Sequence, residues 1–199
     1  MIHPTAEVAP DVDVDPSTFV WQLAHVRESV RIGRDVVIGR GAYVGPGVSI
    51  GDRVKIQNYA LIYEPAVVAD GVFIGPAVVF TNDRYPRAVN PDGSKKSAAD
   101  WVPVGVNVLS GASIGARAVC VAPVTIGRWS LVAAGSVVTA DVADYAVVAG
   151  SPARRIGWVG PAGEPLVAVE DSPNTYVCPR TGARFVCDSL EHLIEVEQS

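Results

Sequence analysis

The sequence predicts an all-β chain wound into a parallel β-helix, and three observations carry that expectation. Apolar residues recur at every sixth position, small residues recur four places behind them, and glycines cluster at one phase of the same beat. The bulk composition agrees. Met occurs once against 19 Gly and 15 Pro in 199 residues, and a chain so rich in Val, Ile, Ala and turn formers suits many short strands better than a helical bundle.

The first element is the column of large aliphatics. Stepping by six from Ile2 gives Val8, Val14, Val20 and so on to Ile74 and Phe80, fourteen consecutive apolar positions. The second register runs from Ala6 through Val12 and Thr18 to Val78, and every member is small or β-branched. Gly33, Gly39, Gly45, Gly51 and Gly75 each follow an aliphatic directly, where they are expected to let the backbone turn through conformations other residues resist. One six-residue unit then makes a short strand and a corner. Three units close a triangular coil, and coils stack about 4.8 Å apart with the aliphatics inside.

At VVFTNDRYPRA (78–88) the beat stops, to return as Val102, Val108, Ile114, Cys120, Ile126, Val132 and Val138. With Val102 counted, the units make about seven coils. The twenty-two residues from Phe80 to Val102 are not a multiple of six, so residues 81–101 are expected as a loop thrown out from one coil. Solenoid repeats need no such loop, and a long one is functional or disordered. Its stem, from Thr81 to Arg87, gathers polar side chains where the rigid core fixes them.

Two other stretches depart from the beat. KIQN (55–58) puts Gln57, and IYEP (62–65) puts Tyr63 and Glu64, where turn residues are expected. Residues eighteen apart stack, so Gln57 falls under Gly75 and Tyr63 under Thr81, and the departures converge on the region of the loop root. The solenoid is expected over 1–143 and a tail over 144–199. In the tail, YVCPRTGARFV reads as a hairpin, and DSLEHLIEVE as a short helix with Leu190, Leu193, Ile194 and Val196 on its apolar side.

Several classes are set aside. A net charge of −5 argues against a general nucleic-acid binder. The start, MIHPTAEVAPDVDVDP, has neither the basic opening nor the apolar run of a signal peptide, and no stretch is long and apolar enough for a membrane span. Three cysteines without an export signal suggest reduced thiols in a cytoplasmic protein. GRGAYVGPG (39–47) lacks the Gly-Lys-Ser/Thr ending of a phosphate loop. Cys120 falls on an inward position, Cys178 and Cys187 make at most half a zinc site, and His3, His25 and His192 are too scattered to share a metal, so no metal is expected. No flat threonine ladder of the ice-binding kind is present.

The six-residue pattern resembles the hexapeptide-repeat acyltransferases. More narrowly, KIQN, GVFIGPAVVFTN (71–82), Pro86–Arg87, VTIG (124–127) and GSPARRIGWV (150–159) together resemble the nucleotide-sugar N-acetyltransferases, over roughly residues 1–160. That resemblance implies a left-handed coil, a homotrimer with active sites between subunits, and transfer of acetyl from acetyl-CoA to the amine of a UDP- or dTDP-linked 3-amino sugar, feeding polysaccharide or glycoside assembly. It implies Asn82 as the residue orienting the amine, with Asp83 a candidate proton acceptor. Gln57, Asn58, Tyr63, Glu64 and Arg87 are candidate sugar or nucleotide contacts, and Ala133, Gly135, Arg154 and Arg155 candidate CoA contacts. Pro123 departs from the pattern, standing where related enzymes often have Gly. TND followed by YPR leans toward the dTDP-6-deoxysugar branch. O-acetylation, which calls for a base, and a non-catalytic sugar-nucleotide-binding scaffold are the alternatives.

Overall fold

The computed structural model describes residues 1–188 and 192–196 and is a parallel β-solenoid with a small antiparallel sheet at its C-terminal end. Strands of mostly two residues assemble into three flat faces. Face I stacks Phe19–Val20, Val37–Ile38, Lys55–Ile56, Phe73–Ile74, Ser113–Ile114, Leu131–Val132 and Ala146–Gly150, then closes with the antiparallel strand Ala153–Trp158. Face II stacks seven strands from Glu7–Val8 to Val137–Val138, one per coil. Face III stacks five, from Arg31–Ile32 to Val124–Ile126.

The register is the one the six-residue beat demands. Ile62 lies opposite Val44 and Phe80 opposite Ile62, eighteen residues on in each case. Amides at the strands and their ends reach the coil above, as in Gln57 N–H to the Ile74 carbonyl and Leu61 N–H to that of Val78, both 2.8 Å. Both apolar registers point inward: Ile38, Ile56, Ile62, Ile74 and Phe80 are fully buried, as are Ala42, Ala60 and Val78. Cys120 sits in the same column, and burial pushes its thiol up to about 12, so it serves as a small hydrophobe.

The loop is an insertion in one coil. Phe80 pairs with Ile62, eighteen residues back, and with Cys120, forty residues on, so twenty-two residues are added without disturbing the stack. Val102 is not the returning core position. It is 81% exposed, and the strand resumes only at Val106–Val108. Pro103 explains the delay, because a residue without an N–H cannot open a ladder there. At the other end the stacking runs past residue 143. Val148 pairs with Val132 and Val142 bridges Ile126, each sixteen residues apart, so the last coil is two residues short.

The glycines act differently from the sequence expectation. None of the five that follow an aliphatic has a positive φ; that conformation falls two residues later, at Gly41, Gly47 and Gly71 but equally at Leu23, Asp35 and Tyr59. What Gly33, Gly39, Gly45 and Gly51 supply is space. In the next coil an Asp, Asn or Glu folds back over each, and a Cβ on Gly39 would stand 2.6 Å from the Asn58 nitrogen.

The tail forms an antiparallel sheet of Val167–Ala168, Thr175–Val177, Arg184–Cys187 and Leu193–Val196. The expected hairpin is its centre, with Tyr176 opposite Phe185. The expected helix is instead a strand over Leu193–Val196; its first residues, 189–191, lie outside the described residues. The Asp188 side chain does accept the His192 N–H at 2.8 Å, but it closes a turn. The open edge of Arg184–Cys187 then takes Leu193–Val196 and buries Leu193, a tertiary pairing that overrides local propensity.

Space at the corners can be tested directly. Gly75→Ala would put a Cβ 2.7 Å from the Ala116 nitrogen and 2.8 Å from the Ile114 oxygen, while nothing lies within 4 Å at Gly157. Gly75→Ala is expected to lower the unfolding free energy by about 1–3 kcal/mol and Gly157→Ala to change it by less than about 0.5 kcal/mol, measured by chemical denaturation.

Candidate functional site

The candidate residues fall on the two edges of face II. On the corner joining face II to face III, Glu64 lies one coil below Asn82, and the loop leaves this corner at Thr81. Its neck is closed by backbone. The Val104 N–H donates to the Asn82 carbonyl at 3.1 Å, and the Thr81 hydroxyl accepts the Ala122 N–H of the next coil at 3.0 Å. Asn82 is therefore held from both sides while its half-buried side-chain amide makes no hydrogen bond among the described residues. Asp83 uses one carboxylate oxygen to accept the Tyr85 N–H at 2.8 Å, an Asx turn that starts the loop. Beyond it Arg87 is exposed and donates to the Pro86 carbonyl.

Glu64 is the electrostatic anomaly of this corner, and its cause is visible in the neighbouring corners. Asp52 accepts the Arg34 N–H at 2.8 Å, Asn58 the Arg40 N–H at 2.9 Å, Asp70 the Asp52 N–H at 2.9 Å and Asp144 the Arg128 N–H at 2.7 Å. In each case the acceptor folds over a glycine of the coil below and takes the amide that follows it. That bond holds the Asp52 carboxyl below the usual carboxylate range, chiefly through the Arg34 N–H. Glu64 occupies the same slot over Gly45, but the next residue is Pro46, which has no N–H. Its Oε2 is thus buried without a partner. A buried carboxylate oxygen in that state is unfavourable unless something else donates to it.

The other edge of face II carries the remaining candidates. Gln57 and Asn58 lie on the corner joining face I to face II, and Ala133 and Gly135 lie on the same corner farther toward the C-terminal end. Asn58 spends its side-chain carbonyl on the Arg40 amide, so one of its polar atoms is structural. Arg154 and Arg155 sit on the antiparallel strand that closes face I, opposite Ala149 and Val148. The Arg154 guanidinium donates to the Ala153 carbonyl at 2.8 Å, and that of Arg155 lies 4.4 Å over the Trp158 ring.

Within one chain the structure brings Tyr63, Glu64, Asn82 and Asp83 together. Gln57, Asn58, Ala133 and Gly135 stand across the full width of face II from them. Sequence reasoning marked Glu64 as a departure from the beat and as one of five candidate substrate contacts, but not as an acceptor without a donor. The signal that singles it out was present, an acid eighteen residues after a Gly-Pro pair, but it means little until the amide ladder is known.

The fold and its necked loop define a solenoid built on a hexapeptide beat. Two family models match parts of the chain: one described as "Bacterial transferase hexapeptide (six repeats)" matches residues 29–64, and one described as "Hexapeptide repeat of succinyl-transferase" matches residues 103–140. Over 52 residues, 26% of the chain, it is 56% identical to the dTDP-3-amino-3,6-dideoxy-α-D-galactopyranose 3-N-acetyltransferase of Aneurinibacillus thermoaerophilus, covering 27% of that protein. Over 91 residues, 45% of the chain, it is 38% identical to serine acetyltransferase 4 of Arabidopsis thaliana, covering 24% of it. The chain thus spans about a quarter of each of these curated relatives. Among solved structures it is similar to the Caulobacter crescentus GDP-perosamine N-acetyltransferase bound to CoA and GDP-perosamine, with 25% identity, a TM-score of 0.55, and 78% of this chain and 55% of that one covered.

The geometry separates framework from candidate function. Asn58→Ala leaves the Arg40 N–H without its acceptor and is expected to lower stability by about 1 kcal/mol. Asn82→Ala is expected to stay within about 0.5 kcal/mol, because its side chain supports nothing. Denaturation midpoints of the two variants make the comparison.

Proposed function

We propose that the chain is an acetyl-CoA-dependent N-acetyltransferase acting on the amino group of a nucleotide-linked sugar, a 3-amino sugar in preference. The observation that carries this reading is the uncommitted Asn82 amide at the loop neck, with Glu64 one coil below it folding a donor-less oxygen down over Gly45. An amine can donate to the Asn82 carbonyl. Two of the three proteins named above, by their names, act on amino sugars carried by nucleotides, and one of those two was solved with CoA.

In this reading the amine lies at the loop neck against Asn82. The Asn82 carbonyl accepts one N–H and aims the nitrogen lone pair at the thioester carbonyl, while the Glu64 carboxylate one coil below supplies a nearby negative charge. Attack forms the C–N bond and moves the carbonyl electrons onto oxygen. Collapse of the tetrahedral adduct breaks the C–S bond, and the amine proton leaves to the CoA thiolate, directly or by way of Asp83. A sugar amine needs placement more than a strong base, and correct placement can supply several kcal/mol.

O-acetylation would call for a base at a hydroxyl. The one histidine on face II, His25, lies three coils below the level of Asn82, about 14 Å away at the inter-strand spacing. That distance favours the amine. Gln57, Tyr63 and Arg87 remain candidate substrate contacts, and Ala133, Gly135, Arg154 and Arg155 candidate CoA contacts. Because the two groups flank face II, a homotrimer with the edge of one chain facing the opposite edge of the next joins them across a seam. Both substrates are soluble metabolites, in keeping with a cytoplasmic enzyme; among the described residues no helix is long and apolar enough to cross a membrane.

The test is thiol release from acetyl-CoA against a panel of 3-amino and 4-amino nucleotide sugars, with the oligomeric mass measured alongside. Release with at least one sugar is expected, and Asn82→Ala should reduce kcat at least tenfold, about 1.4 kcal/mol of transition-state stabilisation. A second variant probes the carboxylate. Pro46→Ala restores the missing amide, should draw Glu64 into the ladder, and is expected to raise KM for the amino sugar with no change in KM for acetyl-CoA.

A further inference from the structure

A ladder of rings on face II has no role in the solenoid, and only its top member, Tyr63, enters the substrate contacts above. Below the loop neck, three rings climb the face in successive coils: His25 meets Tyr43 edge-on at 5.6 Å, and Tyr43 meets Tyr63 at 5.1 Å. From the coil of Tyr63 upward the outward strand positions of the same face, Leu61, Val79, Val119 and Val137, are aliphatic. Aromatic residues therefore occupy only the stretch of the face that leads from the candidate site toward the N-terminal end. Beside them Arg27, on the corner below Gly45, extends one coil upward. Its Nη1 stands 3.5 Å from the Tyr43 hydroxyl, and its fork is held by Glu28 at 2.9 and 3.0 Å. A cavity lined by Glu7, His25, Arg27 and Glu28 opens at the foot of the ladder.

We infer that this strip is the nucleotide arm of the substrate site, with the Arg27 guanidinium taking the diphosphate at the level of Tyr43 and the nucleobase lying against His25 at the foot of the ladder. The inference rests on the amino-sugar reading, because that reading puts the sugar at Asn82 and Glu64. Three lines converge on it. The first is direction: the reading above puts CoA against Ala133, Gly135, Arg154 and Arg155 in the C-terminal coils, which leaves the N-terminal coils for the rest of the nucleotide sugar. The second is length. Asn82 and His25 lie three coils apart, about 14 Å, the span a diphosphate needs to carry a base away from the sugar. The third is chemistry. A guanidinium fork matches diphosphate oxygens in two places at once, and a purine or pyrimidine finds stacking surface on Tyr and His rings. Glu28 holds the fork as an anion would, so a bound diphosphate displaces that carboxylate.

Binding of free UDP, dTDP and GDP, followed by calorimetry on the full chain, tests the assignment. His25→Ala and Arg27→Gln are each expected to weaken nucleotide binding about tenfold while leaving CoA binding and oligomeric mass unchanged. Glu28→Gln releases the fork and is expected to strengthen binding severalfold, with a steeper loss on adding salt. Inorganic diphosphate should compete with the nucleotide, and the competition should vanish in Arg27→Gln.

Nucleotide affinity unchanged in both His25→Ala and Arg27→Gln would overturn the inference, whether or not the protein acetylates amino sugars. A change of oligomeric mass in Tyr43→Ala with nucleotide affinity intact would also overturn it, assigning the rings to subunit packing. Arg27-dependent nucleotide binding without acetyl transfer to any amino sugar would uphold the arm and sink the enzyme reading instead.

Discussion

The coil-to-coil backbone ladder, with partners fixed eighteen residues apart, is the constraint on which everything else in this molecule depends. Each short strand is too brief to hold itself. Gln57 N–H reaches Ile74, Leu61 N–H reaches Val78 and Thr81 N–H reaches Cys120, and so each coil is pinned by the next. Because the register is set by backbone, a twenty-two-residue insertion leaves it unchanged, with Phe80 opposite both Ile62 and Cys120. The ladder also sets the positions of outward side chains in steps of one coil. Every spatial relation at the candidate site, Glu64 below Asn82 and Tyr43 below Leu61, follows from that repeat.

How much of this is legible in the sequence depends on whether the cause is local. The inward columns are written as identities at every sixth position, so the solenoid, its approximate coil count and the existence of the loop can all be read directly. Val102 matches the beat yet is exposed, because Pro103 prevents the ladder from restarting, and an apolar letter carries no record of its neighbour's missing amide. The strand at Leu193–Val196 is likewise set by an edge formed elsewhere in the tail. The glycines were visible, but their reason was not. They accommodate an acceptor from the coil above, a relation between positions nineteen residues apart, as in Gly33 with Asp52 and Gly39 with Asn58.

That relation also accounts for the candidate site. The corner ladder is a general way to satisfy backbone amides in a solenoid, and Asp52, Asn58, Asp70 and Asp144 all take part in it. Substituting proline at a single donor position turns one acceptor from framework into a free functional group without moving it. Glu64 keeps the rigidity of a structural residue while its oxygen is left to another donor. Asn82 is reached by a different route, pinned through its own backbone at the neck of the loop with its side chain left unused. Both groups are preorganised, and the stability of the coil does not rest on either side chain's partner.

The split of candidate residues between the two edges of face II follows from the shape of the coil. A triangular prism has no concave side, so a single copy can present a row of groups on each edge but cannot enclose a ligand between them. Enclosure has to come from an extruded segment or from another copy. The loop leaves the coil at the height of Asn82, whereas the residues proposed for CoA lie coils higher and those proposed for the nucleotide lie coils lower. A ligand that spans all three heights therefore needs a wall as long as the coil itself, and the one structure of that length and complementary flatness is another coil of the same kind. Association of copies is then a requirement of the chemistry proposed here, since placement of amine and thioester, more than any single side chain, is what lowers the barrier.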